Sequence, residues 1–130
     1  MKDIAQEGLD TGMKEADKLL ARRVRTGRMS EEKKEAILSA ITPTLEYGDE
    51  FAEIDVLIEA VVENMDVKHA VLIDAESRMK ESAIVCSNTS TLPISKLAEP
   101  LARPDQFCGV HFFNPGQSLT TTGFFLSDNA

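Results

Sequence analysis

At 130 residues and 42% hydrophobic, the chain carries enough apolar matter for one domain with a single core. Its net charge of -8 argues against a general nucleic-acid or anionic-membrane binder, since both would repel an acidic surface. No apolar run approaches the roughly 20 residues of a membrane span, and the N-terminus lacks the charged-then-apolar pattern of an export signal, so a soluble cytoplasmic protein is the expectation.

Met1-Lys2-Asp3-Ile4 opens abruptly, with an acid where a strand would end, so a strand is expected upstream of it. From residue 5 to about 26, Leu9, Met13, Ala16, Leu20 and Val24 recur at steps of three and four, one face of a helix, and Gly27 suits its cap. The last turns carry Lys18, Arg22, Arg23, Arg25 and Arg28. These cations oppose the negative end of the helix dipole, and the simplest reading is a solvated basic helix end. Ser30 caps a second helix over residues 31–40, which Pro43 ends. Residues 42–45 suit a short strand before the Gly48-Asp49 turn.

The middle of the chain holds three apolar runs, each closed by a polar cluster. Residues 56–62 are too apolar for a half-solvated strand and read as one buried on both faces, closed by Glu63-Asn64. Residues 83–86 are closed by Ser87-Asn88-Thr89-Ser90-Thr91, and residues 107–110 by His111-Phe112-Phe113-Asn114-Pro115. Between the first two, Asn64 caps a helix over residues 65–80 whose inner face reads as Val67, Ala70, Val71, Asp74 and Met79. Pro93 opens a short helix over residues 94–101. Strand, helix, strand implies a parallel α/β sheet, whose carboxyl ends gather at the edge where such sheets bind ligands. Glu63, Ser90 and His111 then line one crevice. Cys86 and Cys108 have neither CxxC spacing nor a histidine pair, so both read as core residues and no metal site is expected. Past Pro115 the pattern dissolves, and residues 116–130 read as an unstructured or foreign tail.

Glu59-Ala60-Val61-Val62-Glu63-Asn64, Ser87-Asn88-Thr89-Ser90-Thr91 and His111-Phe112-Phe113-Asn114-Pro115, in this order and spacing, resemble the NAD-binding domain of 3-hydroxyacyl-CoA dehydrogenases. The resemblance covers residues 2–115 and implies an incomplete Rossmann-like parallel sheet with a helical hairpin insert, and NAD as cofactor. It implies that Asp3 accepts from the adenosine ribose and selects NAD over NADP, and that Glu63, Lys68, Ser90 and Asn114 lie against the cofactor. Ser90 resembles the catalytic-site serine and His111 the catalytic base. Imidazole titrates near neutrality and suits proton exchange with a secondary alcohol in both directions. Taken singly, these residues have plainer readings: an N-cap for Asp3, a surface charge for Lys68, turn formers for Ser90 and Asn114, a structural histidine for His111. His69 has no comparable neighbours and receives no role. The helical hairpin implies a partner for the basic helix end in the adenosine phosphate of coenzyme A.

The sequence also departs from the family. There is no Gly-x-Gly-x-x-Gly turn, so the first strand and its phosphate loop are expected before Met1, and Gly123 stands where an acid partner for the histidine is expected. Residues 1–115 are thus expected to be part of an enzyme that oxidises 3-hydroxyacyl-CoA to 3-ketoacyl-CoA in fatty-acid β-oxidation, inactive as an isolated piece. Self-association or docking of a missing domain should cover the open sheet. The alternative is a non-catalytic acyl-CoA-binding or protein-interaction module.

Overall fold

Twenty residues, Gln6–Arg25, form helix α1, and Glu31–Ser39 form α2. The computed structural model describes residues 1–112 and 122–126, with side chains through Phe112. The chain forms two compact units, Met1–Gly48 and Asp49–Ala130.

In the first unit, Gly27 ends the α1 turn at φ 70°, a conformation that costs a residue without a β-carbon little. The Ser30 side chain accepts from the Lys33 N–H at 3.2 Å and caps α2. Lys34 ties the two helices, with its ammonium 2.9 Å from Asp17 and 3.1 Å from Glu31. Residues 42–45 do not form a full strand. Thr44 instead makes one parallel bridge with Lys2, with the Thr44 N–H on the Met1 carbonyl at 2.9 Å and the Asp3 N–H on the Thr44 carbonyl at 3.2 Å. This opening segment lies over α1 at two glycines. A β-carbon at Gly8 would overlap the Asp3 carboxylate, and one at Gly12 would stand 2.8 Å from the Met1 sulfur.

The second unit is a four-stranded sheet in the order β1-β2-β3-β4: Val56–Glu59, Ile84–Ser87, Phe107–Phe112 and Thr122–Leu126. The first three strands are parallel and β4 is antiparallel to β3. Helix α3, Met65–Arg78, connects β1 to β2, and α4, Ile94–Ala98, lies between β2 and β3. The α/β class and parallel order match the sequence reading, but several details differ. The first strand stops at Glu59 rather than residue 62 and is not buried on both faces. It is the sheet edge, and Val56 and Ile58 are half exposed. Residues 122–126, assigned to an unlike tail, pair with β3 as a strand. The boundary expected at Pro115 lies outside the described residues, as do residues 116–121.

The inner face of α3 also differs. Lys68, Leu72, Ala75 and Glu76 are buried, whereas Val67 and Ala70 are exposed. The helix turned its polar Lys68 and Glu76 inward because each has partners there. Glu76 accepts the N–H groups of Ala102 and Arg103, both at 2.9 Å. Arg103 in turn donates to the carbonyls of Glu76 at 2.6 Å and Lys80 at 2.7 Å, satisfying the negative end of α3. Around them Leu72, Met79, Val85, Leu97, Leu101 and Phe107 make the core. Cys86 and Cys108 stand in register on β2 and β3 as free thiols, sulfurs 3.4 Å apart. Burial, then the Cys108 thiol beside it, pushes the Cys86 thiol up to about 12, consistent with a packing role.

The glycine packing in the first unit is directly testable. Gly8→Ala should displace the Met1–Asp3 segment and cost about 1–3 kcal/mol in urea unfolding. Gly27→Ala, which meets open space but a positive φ, should cost about 1 kcal/mol. Equal small costs at both positions would contradict the packing at Gly8.

Candidate active site

The carboxyl ends of β1, β2 and β3 carry a continuous polar network. Glu59, the last residue of β1, is 3% exposed, an acid closing an otherwise apolar strand. One of its carboxylate oxygens accepts from the Lys68 ammonium at 2.7 Å and from the Val61 N–H at 2.6 Å, and the other from the Ser87 hydroxyl at 2.5 Å. Lys68 is wholly buried and spends its remaining donors on the Val61 carbonyl at 3.1 Å and the Glu63 carboxylate at 3.5 Å. A buried charge persists only when paired and hydrogen-bonded, and each member of this pair is. Lys68, expected to lie against the cofactor, is held here as a buried internal strut. Its helix position one turn into α3 directs the long side chain back over the sheet end.

Glu63 has a related function. Its Oε1 accepts from the Thr89 hydroxyl at 2.5 Å, the Ser90 and Thr91 N–H groups at 2.9 Å and the Thr91 hydroxyl at 3.1 Å. The Thr89 hydroxyl, and after it the two backbone N–H groups, outweigh burial and hold the Glu63 carboxyl down at about 2. The turn after β2 is thereby clamped by one carboxylate, which leaves Ser90 exposed with its Oγ 3.1 Å from His111 Nε2. Beyond Ser87 the β2–β3 ladder is continued by a side chain: Asn88 gives its N–H to the Glu59 carbonyl at 2.7 Å and accepts the Phe112 N–H on Oδ1 at 2.9 Å.

The structure thus brings Glu63, Lys68, Ser90 and His111 together at one sheet end. Asp3 belongs to the first unit, where its Oδ1 accepts the Ala5 N–H at 3.0 Å at the entry to α1. Asn114 lies outside the described residues. Glu59, Asn88 and Thr89 were missed. Glu59 had a signal, an acid inside an apolar run with a lysine nine residues on, whereas Asn88 and Thr89 look like ordinary turn residues. His69, given no role, rests Nε2 3.0 Å from the Lys96 carbonyl. Among the described residues no group of ligating side chains fits a metal ion.

A family model described as the NAD binding domain of 3-hydroxyacyl-CoA dehydrogenase matches residues 1–122. The chain belongs to this family. Fatty acid oxidation complex subunit alpha of Pseudomonas paraeruginosa is 54% identical over 115 residues, 88% of this chain and 16% of that protein. The solved (S)-3-hydroxybutyryl-CoA dehydrogenase of Ralstonia eutropha superposes with a TM-score of 0.88 at 32% identity, over 95% of this chain and 44% of that one. The 3-hydroxybutyryl-CoA dehydrogenase of Escherichia coli superposes at 0.81 with 29% identity, over 88% and 24%. The chain therefore spans about a sixth of the length of the curated relatives it matches. As a member of an NAD-binding family, it keeps its polar groups at the sheet end where dinucleotide folds bind their ligand.

The Glu63 clamp has a pH signature. A carboxyl held at about 2 in the fold, against an ordinary 4.5, contributes stability that is fully present above pH 4.5 and is lost as pH falls towards 2. Because the group is partly exposed, solvent screens the effect and its amplitude is modest. Urea midpoints recorded from pH 6 to 2 should fall more steeply for the wild type than for Glu63→Gln across that window. Parallel curves would remove the clamp.

Proposed function

We propose that the chain forms the cofactor-side part of an NAD-dependent enzyme oxidising 3-hydroxyacyl-CoA to 3-ketoacyl-CoA. The observation that carries this is the 3.1 Å approach of Ser90 Oγ to His111 Nε2 at the carboxyl end of a parallel sheet. His111 Nε2 takes the proton of the substrate's secondary hydroxyl, and Ser90 Oγ holds that oxygen within reach of the imidazole. NAD, when bound, supplies the two-electron acceptor. The residues fit such a group: Val61 and Val62, 37% and 66% exposed after β1, offer an apolar step for a flat ring close to the clamped Ser90 turn. Asn114 contacts the nicotinamide side, and Asp3 accepts from the adenosine ribose and disfavours a 2′-phosphate there. Glu63 and Lys68 are cofactor-binding residues in this reading, and they also hold the turn and loop beside the site.

The same reading takes a 3-hydroxyacyl-CoA as substrate and gives the basic end of α1, without choosing among its arginines, to the coenzyme A phosphate. It also has the half-exposed β1 edge covered by a second copy or a further domain, and places the activity in cytoplasmic fatty-acid β-oxidation. One observation favours a second reading. Gly123 is the register partner of His111 on β4, where an acid partner for the histidine is expected, so a non-catalytic acyl-CoA-binding or protein-interaction role is the alternative.

Grafting residues 1–126 in place of the corresponding segment of the Pseudomonas subunit, so that Gly123 is carried along with His111, separates the two. With 3-hydroxybutyryl-CoA and NAD, the graft should form NADH at 340 nm, and His111→Ala should lower the rate by on the order of 10²–10⁴-fold. Asp3→Ala should narrow the preference for NAD over NADP. An active graft indifferent to His111→Ala would sink the base assignment, and an inactive but folded graft would favour the binding module.

A further inference from the structure

Ser90 lies in the turn after β2 and His111 on β3, and of the two only the Ser90 backbone is held by Glu63. Strand β3 runs on to Phe112, whereas β2 ends at Ser87, and the last residues paired between them are Ser87 and Gly109. His111 lies beyond that last pair. The Asn88 side chain closes the gap, because its Oδ1 accepts the N–H of Phe112, the residue after His111, at 2.9 Å. Its own N–H is meanwhile fixed on the Glu59 carbonyl at 2.7 Å, the carboxyl end of β1 and the root of the buried Lys68 network. One residue therefore bridges three strands at the point where the ladder stops.

We infer that Asn88 is the positioning residue of this site, holding the β3 backbone so that His111 Nε2 stays within hydrogen-bond reach of Ser90 Oγ. The physical ground is that β4 holds one side of this segment, pairing His111 with Gly123 and Phe112 with Thr122. On the β2 side Asn88 is the acceptor of the Phe112 N–H among the described residues, so losing that bond frees the β2 side of the segment to shift away from Ser90. A displacement of about 1 Å at a reacting group commonly costs on the order of 10²-fold in rate, so an Asn at this place acts on the chemistry without touching substrate. The inference rests on the dehydrogenase reading for its consequence, but its geometry stands apart from it.

The test uses the full chain and needs neither cofactor nor turnover. Imidazole nitrogen spectra of ¹⁵N-histidine protein report His111, with His69 on the Lys96 carbonyl as internal control. Ser90→Ala defines the His111 Nε2 shift when the hydroxyl is lost. Asn88→Ala should move His111 towards that position with His69 unchanged, and should speed Phe112 amide exchange on the order of tenfold, the loss of one hydrogen bond. Asn88→Asp keeps an acceptor oxygen and should restore slow Phe112 exchange. If Asn88→Ala does not fold, Asn88→Ser, whose hydroxyl falls short of the Phe112 N–H, supplies the comparison. Fast Phe112 exchange with His111 still at its wild-type shift would overturn the inference, as would slow Phe112 exchange in the alanine or serine variant. Loss of the dehydrogenase reading in the graft experiment would leave these spectra unaltered, so the two failures are distinguishable.

Discussion

A carboxylate and an ammonium, Glu59 and Lys68, are buried together at the end of an edge strand, and the geometry of the site descends from them. Desolvating both charges is costly, and the cost is offset only because each is saturated: Lys68 by Glu59, the Val61 carbonyl and Glu63, and Glu59 by Lys68, Val61 and Ser87. Removing one partner would leave the other charge buried and costs about 3–5 kcal/mol in comparable pairs, whereas replacing both with apolar residues is often neutral. Such a pair is weak support for stability by itself. Its contribution here is geometric, because the same atoms fix the loop from Ala60 to Asn64 and so aim Glu63 at the turn after β2.

From that point the site is built by backbone capture. Glu63 gathers the N–H groups of Ser90 and Thr91, and Asn88 gathers the N–H of Phe112, so the serine and the histidine are each set by an acceptor that lies next to them in sequence or space. Neither acceptor has to reach the substrate. A site assembled this way is preorganised, since its hydrogen bonds are made before any ligand arrives. The polarity of this end contrasts with the core below it, where Leu72, Val85, Leu97 and Phe107 supply the burial that makes the platform rigid.

Much of this was legible in the sequence, for physical reasons that differ by element. The caps Ser30 and Asn64 and the Gly27 terminus are local chemistry, and all three do what their residue types dictate. The three parallel strands were legible from apolar runs ending in polar clusters, and the meeting of Ser90 and His111 follows from that order. What failed was the reading of faces. Lys68 and Glu76 look like solvent-side residues of α3 but turn inward, because a buried charge is decided by tertiary partners no helical period reveals. The edge position of β1 was likewise hidden, since Val56 and Ile58 look fully buried by composition. Asn88 gave no sign of its role, as its acceptor function depends on where β2 happens to end.

The central claim is that the Glu59–Lys68 pair orients the turn that presents Ser90, over and above any contribution to stability. Amide exchange at Ser90 and Thr91 in the double variant Glu59→Leu with Lys68→Leu tests it most directly, because that variant leaves no unpaired buried charge. The account predicts a stability loss in urea of no more than about 1–3 kcal/mol, the cost of leaving the buried Ser87 hydroxyl without its Glu59 acceptor, together with clearly faster exchange at both amides, as Glu63 loses its aim. Unchanged protection at Ser90 and Thr91 in a folded double variant would contradict it.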